Sequence, residues 1–299
     1  MTMIKALGED PSGKKPSSRN PSGNHPFGKN PLGFLAVNGA LALLAAGTLF
    51  PLLWMLSVSF MAPGEAAQFP PPLLPVQATL HNYRELFGTQ GIGRQVFNSL
   101  LVATLATALS LAFNLSAGYA FAKLKFVGRD RLFKILLGAL VIPGQVTMMP
   151  LFLMLKQMGL VNTYAGALVP WLASVFGIFL VRQYALSIPD DILEAARLDG
   201  ASERRIFLWV VLPLLKPIVV TLAVLVFLGA WNDFMWPLIV LTDRDLQTLP
   251  VALAGLSREH VQDTELMMAG SVLTVLPVLL LFLVLQRHYM SGLLMGSVK

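Results

Sequence analysis

Eight charged residues stand close together in one segment of an otherwise apolar chain. The segment SIPDDILEAARLDGASERRIF, residues 187–207, lies between two apolar runs, whereas charged residues make up only 13% of the whole sequence. Such a cluster is either the solvated face of a loop or a surface on which a partner protein docks. The eight residues are Asp190, Asp191, Glu194, Arg197, Asp199, Glu203, Arg204 and Arg205.

A second polar pair, Asn232 and Asp233, falls within an apolar run from about 218 to 241. An acid inside a membrane span is a candidate functional group that faces the bundle interior or a water-filled path. Flanking Trp231 and Trp236 offer indole faces on which sugar rings can stack, but tryptophans near the outer end of a span also form interfacial belts. Two interpretations therefore stay open for Trp231, Asn232 and Asp233: they line a pathway, or they pack at an interface.

The sequence contains no constellation of residues typical of catalysis. Its four histidines lack the H-E-x-x-H spacing of a zinc site, and no G-x-x-x-x-G-K-[ST] loop for ATP phosphates occurs. Since there is no cysteine, disulfides, thiolate metal sites and cysteine nucleophiles are excluded. We therefore expect a protein that is not an enzyme, that has no metal site or cofactor of its own, and that takes its energy from another polypeptide or an ion gradient.

The elements that position these residues are apolar runs long enough to cross a membrane. Hydrophobic residues make up 55% of the 299 positions, and the mean hydropathy is +0.67. A hydrocarbon core of about 30 Å needs a helix of roughly 20 apolar residues. Such runs cover 33–60, 95–122, 135–155, a stretch that ends near Leu186, 218–241 and 268–286. We therefore predict an all-α polytopic membrane protein with six transmembrane helices.

The sequence also predicts two parts of unequal character. Residues 1–32 are rich in Pro, Gly, Ser and Asn and carry five Lys or Arg residues, so they are expected to form a flexible basic cytoplasmic tail. Residues 33–299 are expected to form the six-span transmembrane domain. The run from residue 33 is too long for the apolar core of a signal peptide, which has about 7–15 residues, so it should be a retained span.

The distribution of Lys and Arg predicts the orientation of the chain. With six spans, 17 of the 22 basic residues fall on the side of both termini: in the tail, in the 123–134 loop, between Arg182 and Lys216, and at the C-terminus. Cytoplasmic loops are enriched in Lys and Arg, so both termini and the charged segment are predicted to be cytoplasmic. The same rule accounts for the net charge of +6 without nucleic acid as a partner.

The charged segment cannot itself span the membrane, because inserting eight charges would cost on the order of 20 kcal/mol. Its local sequence is nevertheless helical. Pro189 and the two aspartates after it suit a first turn, Gly200 suits a left-handed cap, and Ser202 can cap a second helix that runs toward Leu212. The sequence thus predicts two short helices joined at DGAS.

One face of the first short helix is suited to a partner. Ile192, Ala195, Ala196 and Asp199 follow one another at spacings of three and four, and the adjacent alanines let a partner surface approach the backbone closely. An ordinary cytoplasmic loop with helical tendency is the alternative interpretation.

The stretch EAARLDGASERRIFLWVVLP, Glu194 to Pro213, resembles the EAA loop (here 187–213) of importer-type ABC transporter permeases. The pattern consists of E-A-A, a glycine a few residues on and a Leu-Pro pair beyond it, which correspond here to Glu194, Ala195, Ala196, Gly200, Leu212 and Pro213. The resemblance implies that Glu194, Ala195, Ala196, Asp199 and Gly200 couple this chain to a cytoplasmic ATPase, by docking of the helix into a cleft on that subunit.

The likeness extends over about residues 33–299. The stretch AWNDFMWPLIVLTDRDLQTLPVAL (230–253) and the ending LQRHYMSGLLMGSVK are similar to the sugar-importing branch, in particular the inner permease subunit of maltose-type transporters. This resemblance implies a carbohydrate importer of the bacterial inner membrane that works by alternating access. It also implies a second permease, two ATP-binding subunits and an extracytoplasmic solute-binding protein as partners, in contact with membrane lipid.

Three other functions compete with this interpretation. Asp233 is a candidate proton or sodium site of a secondary transporter, although no inverted repeats are evident in the six runs. An ABC permease for a polyol or glycerol phosphate derivative would carry the same loop. An intramembrane enzyme is disfavoured because the spans hold no paired acids, Ser-Lys pair or metal-ligand spacing.

Overall fold

The computed structural model describes residues 31–259 and 263–295, with side chains described for 33–256 and 263–284. The chain divides into two units, Met1–Leu52 and Leu53–Lys299. The predicted basic tail, residues 1–32, lies outside the described residues except for its last two positions. The described part of the first unit is helical, and there the Asn38 amide donates to the Phe34 carbonyl oxygen at 2.8 Å.

The described residues form helices and no β-strand. The 3₁₀ turns are Ala139–Val141 and Val169–Trp171, and Phe207–Val211 is π-helical. The α-helices are α1 Pro31–Val58, α2 His81–Gly88, α3 Gly93–Lys123, α4 Arg129–Gly138, α5 Gly144–Gln157, α6 Tyr164–Leu168, α7 Val175–Leu186, α8 Asp190–Leu198, α9 Glu203–Ile206, α10 Leu212–Leu214, α11 Lys216–Trp231, α12 Met235–Val240, α13 Leu249–Glu259 and α14 Thr264–Met295.

Three of these helices, α1, α3 and α14, are each long and apolar enough to cross a membrane. Three further pairs pass the same test only when they are joined across a bend. The bends are 104° between Arg129–Val141 and α5, 46° between Tyr164–Trp171 and α7, and 80° between Glu203–Leu214 and α11. The described residues therefore hold between three and six candidate spans, and the fold is all-α as predicted.

The other three apolar runs of the sequence are interrupted at 142–143, 172–174 and 232–234. Ile142 is extended because a residue before proline, here Pro143, is disfavoured in the helical region. Pro237 lacks the N–H that would bond the carbonyl four residues earlier, at Asp233, and a proline ring crowds that carbonyl. A continuous helix through Asn232 and Asp233, as the run 218–241 suggested, is therefore not formed.

Helix α3 lies at the centre of the second unit and packs against α7 and α11. Gly118 permits the close approach to α7, since a Cβ added there would lie 2.5 Å from Cβ and Cγ1 of Val181. One apolar cluster joins α3 to α11 and α12 around Trp231 and Trp236. A second cluster joins the C-terminal half of α3 to α7, and it includes Leu193 and Ile206 of the charged segment.

Buried polar side chains of α3 form hydrogen bonds with backbone groups in the helix breaks and loops. These backbone groups have no hydrogen-bond partner within a helix. The Asn114 amide oxygen accepts from the Ser174 N–H at 3.0 Å, in the break before α7. Near the other end of α3, the Asn98 amide donates to the carbonyl oxygens of Asp245 and Gln247, each at 2.9 Å. Buried backbone groups need such partners, so α3 fixes the breaks and loops around it.

Candidate functional site

The charged segment forms two short helices with a glycine between them. Helix α8 begins after Pro189 with two aspartates in its first turn, where carboxylates favour the positive end of the helix dipole. Gly200 has φ of 79°, the left-handed conformation that its place in the sequence predicts, and its N–H donates to the Arg197 carbonyl at 3.0 Å. We call residues 187–215 the charged arm.

The second half of the arm differs from its prediction in two ways. Ser202 stands at the cap position of α9, but its side chain makes no capping hydrogen bond. The helix passes through a π-helical turn, Phe207–Val211, and includes Pro213 before it ends at Leu214. A π-turn adds a residue to the turn and often marks functional sites, so the arm reaches α11 with its side chains rotated from α-helical register.

One face of α8 is open, and it carries most of the residues that the EAA resemblance selects. Glu194, Ala195, Asp199 and Gly200 are exposed, whereas Ala196 is only partly exposed and packs against the second apolar cluster. The two alanines of the predicted docking face are therefore in different environments: Ala195 is exposed, whereas Ala196 packs against the second apolar cluster. Sequence reasoning missed Leu198, which is 89% exposed beside these residues. The available signal in the sequence was a leucine between the charged residues Arg197 and Asp199.

The arm is attached to the C-terminal end of α3 by a nearly buried lysine. The Lys123 side chain is 5% exposed, and its Nζ lies 2.7 Å from Oδ1 of Asp190 and 2.6 Å from the carbonyl oxygen of Ile188. The hydrogen bond from Lys123 holds the pKa of the Asp190 carboxyl below its ordinary value. This contact joins the first turn of α8 to the last residue of α3.

A second bridge holds the other half of the arm one turn earlier on α3. The Glu203 carboxylate accepts from Nε of Arg197 at 2.7 Å and from the Tyr119 hydroxyl at 3.1 Å. Arg197 and Glu203 are both solvent-exposed, so the pair itself contributes modestly to stability. Its geometry nevertheless closes the turn between α8 and α9 and ties that turn to α3. No local spacing in the sequence indicates Lys123 or Tyr119, because their partners lie 65 or more residues away.

The three candidate pathway residues have different environments. The Trp231 side chain is buried, 1% exposed, and its Nε1 donates to the Thr274 carbonyl at 3.0 Å. Asn232 is exposed and donates to the Leu228 carbonyl at 2.8 Å. Asp233 is partly buried, and its Oδ1 accepts from the Trp236 N–H at 3.4 Å. Trp231 is therefore packed among its neighbours, and only Asp233 of the three lines the cavity described next.

A cavity of about 500 Å³ lies where the three interrupted runs meet. Gly144 and Gln145 line it from the start of α5, Pro170 and Trp171 from the turn before α7, Asp233 from the break after α11, and Trp236 from α12. Trp171 leans on α11 at Gly229, where an added Cβ would lie 2.8 Å from the indole Cη2. Sequence reasoning missed Trp171, and its position after Pro170 inside an apolar run is the only signal for it.

The chain was compared with known proteins. A family model described as the inner membrane component of binding-protein-dependent transport systems matches residues 114–293. AraQ, a permease protein of the arabinooligosaccharides transport system of Halalkalibacterium halodurans, is 37% identical over 261 residues, which cover 86% of this chain and 94% of AraQ. MelC, the melibiose/raffinose/stachyose import permease protein of Bacillus subtilis, is 31% identical over the same shares of the two chains.

A third relative and a solved structure agree with these matches. The lactose transport system permease protein LacG of Rhizobium radiobacter is 34% identical, over 74% of this chain and 81% of LacG. The structure of a bacterial ABC transporter that imports the acidic polysaccharide alginate matches with a TM-score of 0.76 and 26% identity, over 85% of this chain and 95% of the matched one. The chain therefore belongs to the family of inner membrane components of binding-protein-dependent transport systems.

Proposed function

We propose that this chain is a permease subunit of an ABC importer that carries an oligosaccharide across the bacterial inner membrane. The relatives named above transport arabinooligosaccharides, melibiose, raffinose, stachyose or lactose by their names. This range favours a di- or oligosaccharide over a polyol or a glycerol phosphate derivative. A second permease would complete the pore, and a solute-binding protein would deliver the sugar from outside.

The proposed topology has six spans, with both termini and the charged arm in the cytoplasm. The Lys and Arg distribution supports it, since 17 of 22 basic residues fall on one side. In this topology residues 33–299 form the transmembrane domain behind the tail 1–32. The arm leads into α11 through an 80° bend.

The observation that carries the proposal is the attachment of the arm. Its outer face, with Glu194, Ala195, Asp199 and Gly200, is open for an ATP-binding subunit, and its inner face is bonded to α3 through Lys123 and Glu203. A displacement of the arm by closing ATPase subunits would therefore move α3 with it. Alternating access then needs no covalent chemistry in this chain.

The energy source lies on two ATP-binding partner subunits, because the sequence has no phosphate-binding loop of its own. We propose that this chain is a transport subunit that binds no cofactor or metal of its own. The competing mechanism is ion-coupled transport with Asp233 as the ion site, and the two mechanisms require different driving forces.

Reconstitution tests the proposal directly. The tagged chain should co-purify with a second permease and ATP-binding subunits. In proteoliposomes with the solute-binding protein outside and ATP inside, the complex should accumulate radiolabelled raffinose, lactose or arabinotriose. Uptake driven by a proton or sodium gradient without ATP would refute the ABC assignment.

Two substitutions test the arm in the same assay. Glu194→Lys and Gly200→Trp should leave the chain in the membrane but separate ATP hydrolysis from uptake, because both alter the open face of α8. Arg131→Glu is the matched control, since it reverses an exposed charge on α4, outside the arm. Normal transport by both arm variants would contradict the coupling role.

A further inference from the structure

We infer that the cavity between the three interrupted runs is a binding site of this chain for a neutral sugar ring, with Trp171 as the stacking surface and Asp233 as the hydroxyl acceptor. The inference rests on the proposed function, and it adds a sugar contact made by this subunit itself. The cavity volume of about 500 Å³ lies within the range of about 300–1,000 Å³ typical of small-molecule sites.

The backbone around the cavity is unusual for a membrane segment. Irregular backbone at membrane depth is tolerated only where it is buried in protein or lines a water-filled cavity. Here the cavity is lined by the start of α5, just after the break at 142–143, by Pro170 and Trp171, just before the break at 172–174, and by Asp233 in the break at 232–234. The arrangement leaves helix ends, rather than continuous apolar helix faces, directed at the same space. The lining is mainly apolar and includes the polar residues Gln145, Thr147 and Asp233.

Trp171 and Trp236 contribute to this cavity in different ways. Trp236 is 2% exposed and its Nε1 donates to the Gly166 carbonyl at 3.0 Å, so this indole forms a fixed wall. Trp171 is partly exposed and is held against α11, because Gly229 leaves room for its ring. A held, partly exposed indole is a rigid aromatic face that binds at small entropic cost. The C–H face of a pyranose or furanose ring packs on such a surface.

Asp233 supplies the polar half of the site. Its carboxylate accepts from the Trp236 N–H at 3.4 Å, and the Met235 backbone and the Trp171 side chain are also hydrogen-bond donors to it. A carboxylate has about four acceptor positions, so capacity remains for one sugar hydroxyl group. Gln145 and Thr147 also line the cavity, and the Thr147 hydroxyl donates to the Gly144 carbonyl oxygen at 2.7 Å.

The same lining argues for a neutral sugar over other ligands. The carboxylate repels an acidic sugar across a low-dielectric cavity. A bound cation would need several oxygen ligands, and the described residues contain no group of three or more His, Cys, Asp or Glu suited to a metal ion. A lipid chain would not require an acid, an amide and a hydroxyl group in its site.

Transport by the complete complex tests the site. In proteoliposomes with radiolabelled raffinose, lactose and arabinotriose, we expect Trp171→Ala and Asp233→Asn each to lower the sugar moved per ATP hydrolysed about tenfold, because each removes one half of the sugar contact. ATP hydrolysis stimulated by the loaded binding protein should stay within about twofold of the unsubstituted complex. Trp171→Phe, which keeps a ring face, should retain most of the transport.

Three further measurements make the result specific. Gly229→Ala should lower transport with both tryptophans present, since the added methyl group displaces the Trp171 ring. Trp54→Ala is the control, because Trp54 is partly buried outside the cavity. A diazirine derivative of raffinose should label a peptide that contains Trp171 or Gln145, as read by mass spectrometry.

The outcomes separate this inference from the proposed function. If the unsubstituted complex imports sugar and the Trp171→Ala and Asp233→Asn variants transport it equally well, the sugar site is wrong. The proposed function would be unaffected. A different combination of results would show that the cavity is a contact between subunits. In that case Trp171→Ala loses the second permease on purification, Trp171→Phe transports normally, and the diazirine label misses the cavity. The inference would then be wrong. A wild-type complex that takes up no sugar would refute the proposed function and this inference with it.

Discussion

Nζ of Lys123, the last residue of α3, lies 2.7 Å from the carboxylate of Asp190, the first residue of α8. The lysine side chain is 5% exposed, whereas the aspartate is 72% exposed. The ammonium group is thus the buried partner, and it also bonds the Ile188 carbonyl. A nearly buried charge with two oxygen partners is expensive to leave unpaired, so this contact fixes where the charged arm begins.

We expect Lys123→Met to loosen the arm and lower transport per ATP hydrolysed about three- to tenfold, because the Asp190 carboxylate and the Ile188 carbonyl lose their charged donor. Co-purification with the ATP-binding subunits should persist, because the open face of α8 is unchanged. Lys125→Met is the matched control, since Lys125 is exposed two residues later. Equal transport by the Lys123 and Lys125 variants would show that the contact transmits nothing.

The Lys123–Asp190 contact should weaken only in acid. Its hydrogen bond lowers the pKa of Asp190 in the folded chain, so its stabilisation is present above the unfolded pKa of about 3.9 and is lost as the pH falls through the lower folded value. A spin label at Leu198→Cys reports the arm specifically, because the chain has no cysteine of its own.

Label mobility should stay constant from pH 7 to about pH 4 and rise below it. Asp190→Asn should show the mobile signal at every pH. A mobility change centred near neutral pH in the Asp190 protein would identify a different titrating group and contradict the assignment.

Gly118→Ala should destabilise the packing of α3 against α7. The added Cβ would meet Val181 at 2.5 Å and the Arg182 backbone nitrogen at 3.1 Å, and overpacking of this kind costs about 1–3 kcal/mol. The melting temperature in detergent should fall, and Val181→Ala on the same chain should restore part of the loss. Gly138→Ala is the control, since nothing lies within 4 Å of its added Cβ. If Gly118→Ala and Gly138→Ala lower the melting temperature equally, the cause is sensitivity to detergent and not the packing of α3 against α7.

Leu198→Ser should weaken the binding of ATP-binding subunits while leaving the chain folded. Leu198 is 89% exposed on the arm, and an apolar side chain buried on binding contributes about 1.5–3 kcal/mol. The yield of co-purified subunits against salt and detergent washing measures the change. Val127→Ser, at a residue 99% exposed in the neighbouring loop, is the comparison. Unchanged yield for Leu198→Ser would place the docking contact elsewhere on the arm.

The charged arm could be predicted from the sequence to a larger extent than the cavity. Caps and turns are local, so Pro189, the paired aspartates and Gly200 predicted the two short helices of the arm. The Lys123 and Tyr119 contacts join residues 65 to 84 positions apart, and no local pattern encodes them. Hydropathy counted the apolar runs, but it averages over breaks such as 232–234 and therefore placed Asp233 inside a helix. The cavity depends on where three breaks meet, which is a property of packing.

Helix α3 has a further consequence that follows from its length. Its 31 residues rise about 46 Å at 1.5 Å each, which matches a bilayer of about 40–45 Å including headgroups. One end is tied to the arm through Tyr119 and Lys123, and near the other end Asn98 holds the backbone at Asp245 and Gln247. A rod that pivots near its middle moves its two ends in opposite directions. In the proposed transport cycle, a movement of the arm at one end of α3 would therefore be accompanied by an opposite movement of the 245–247 loop at the other end.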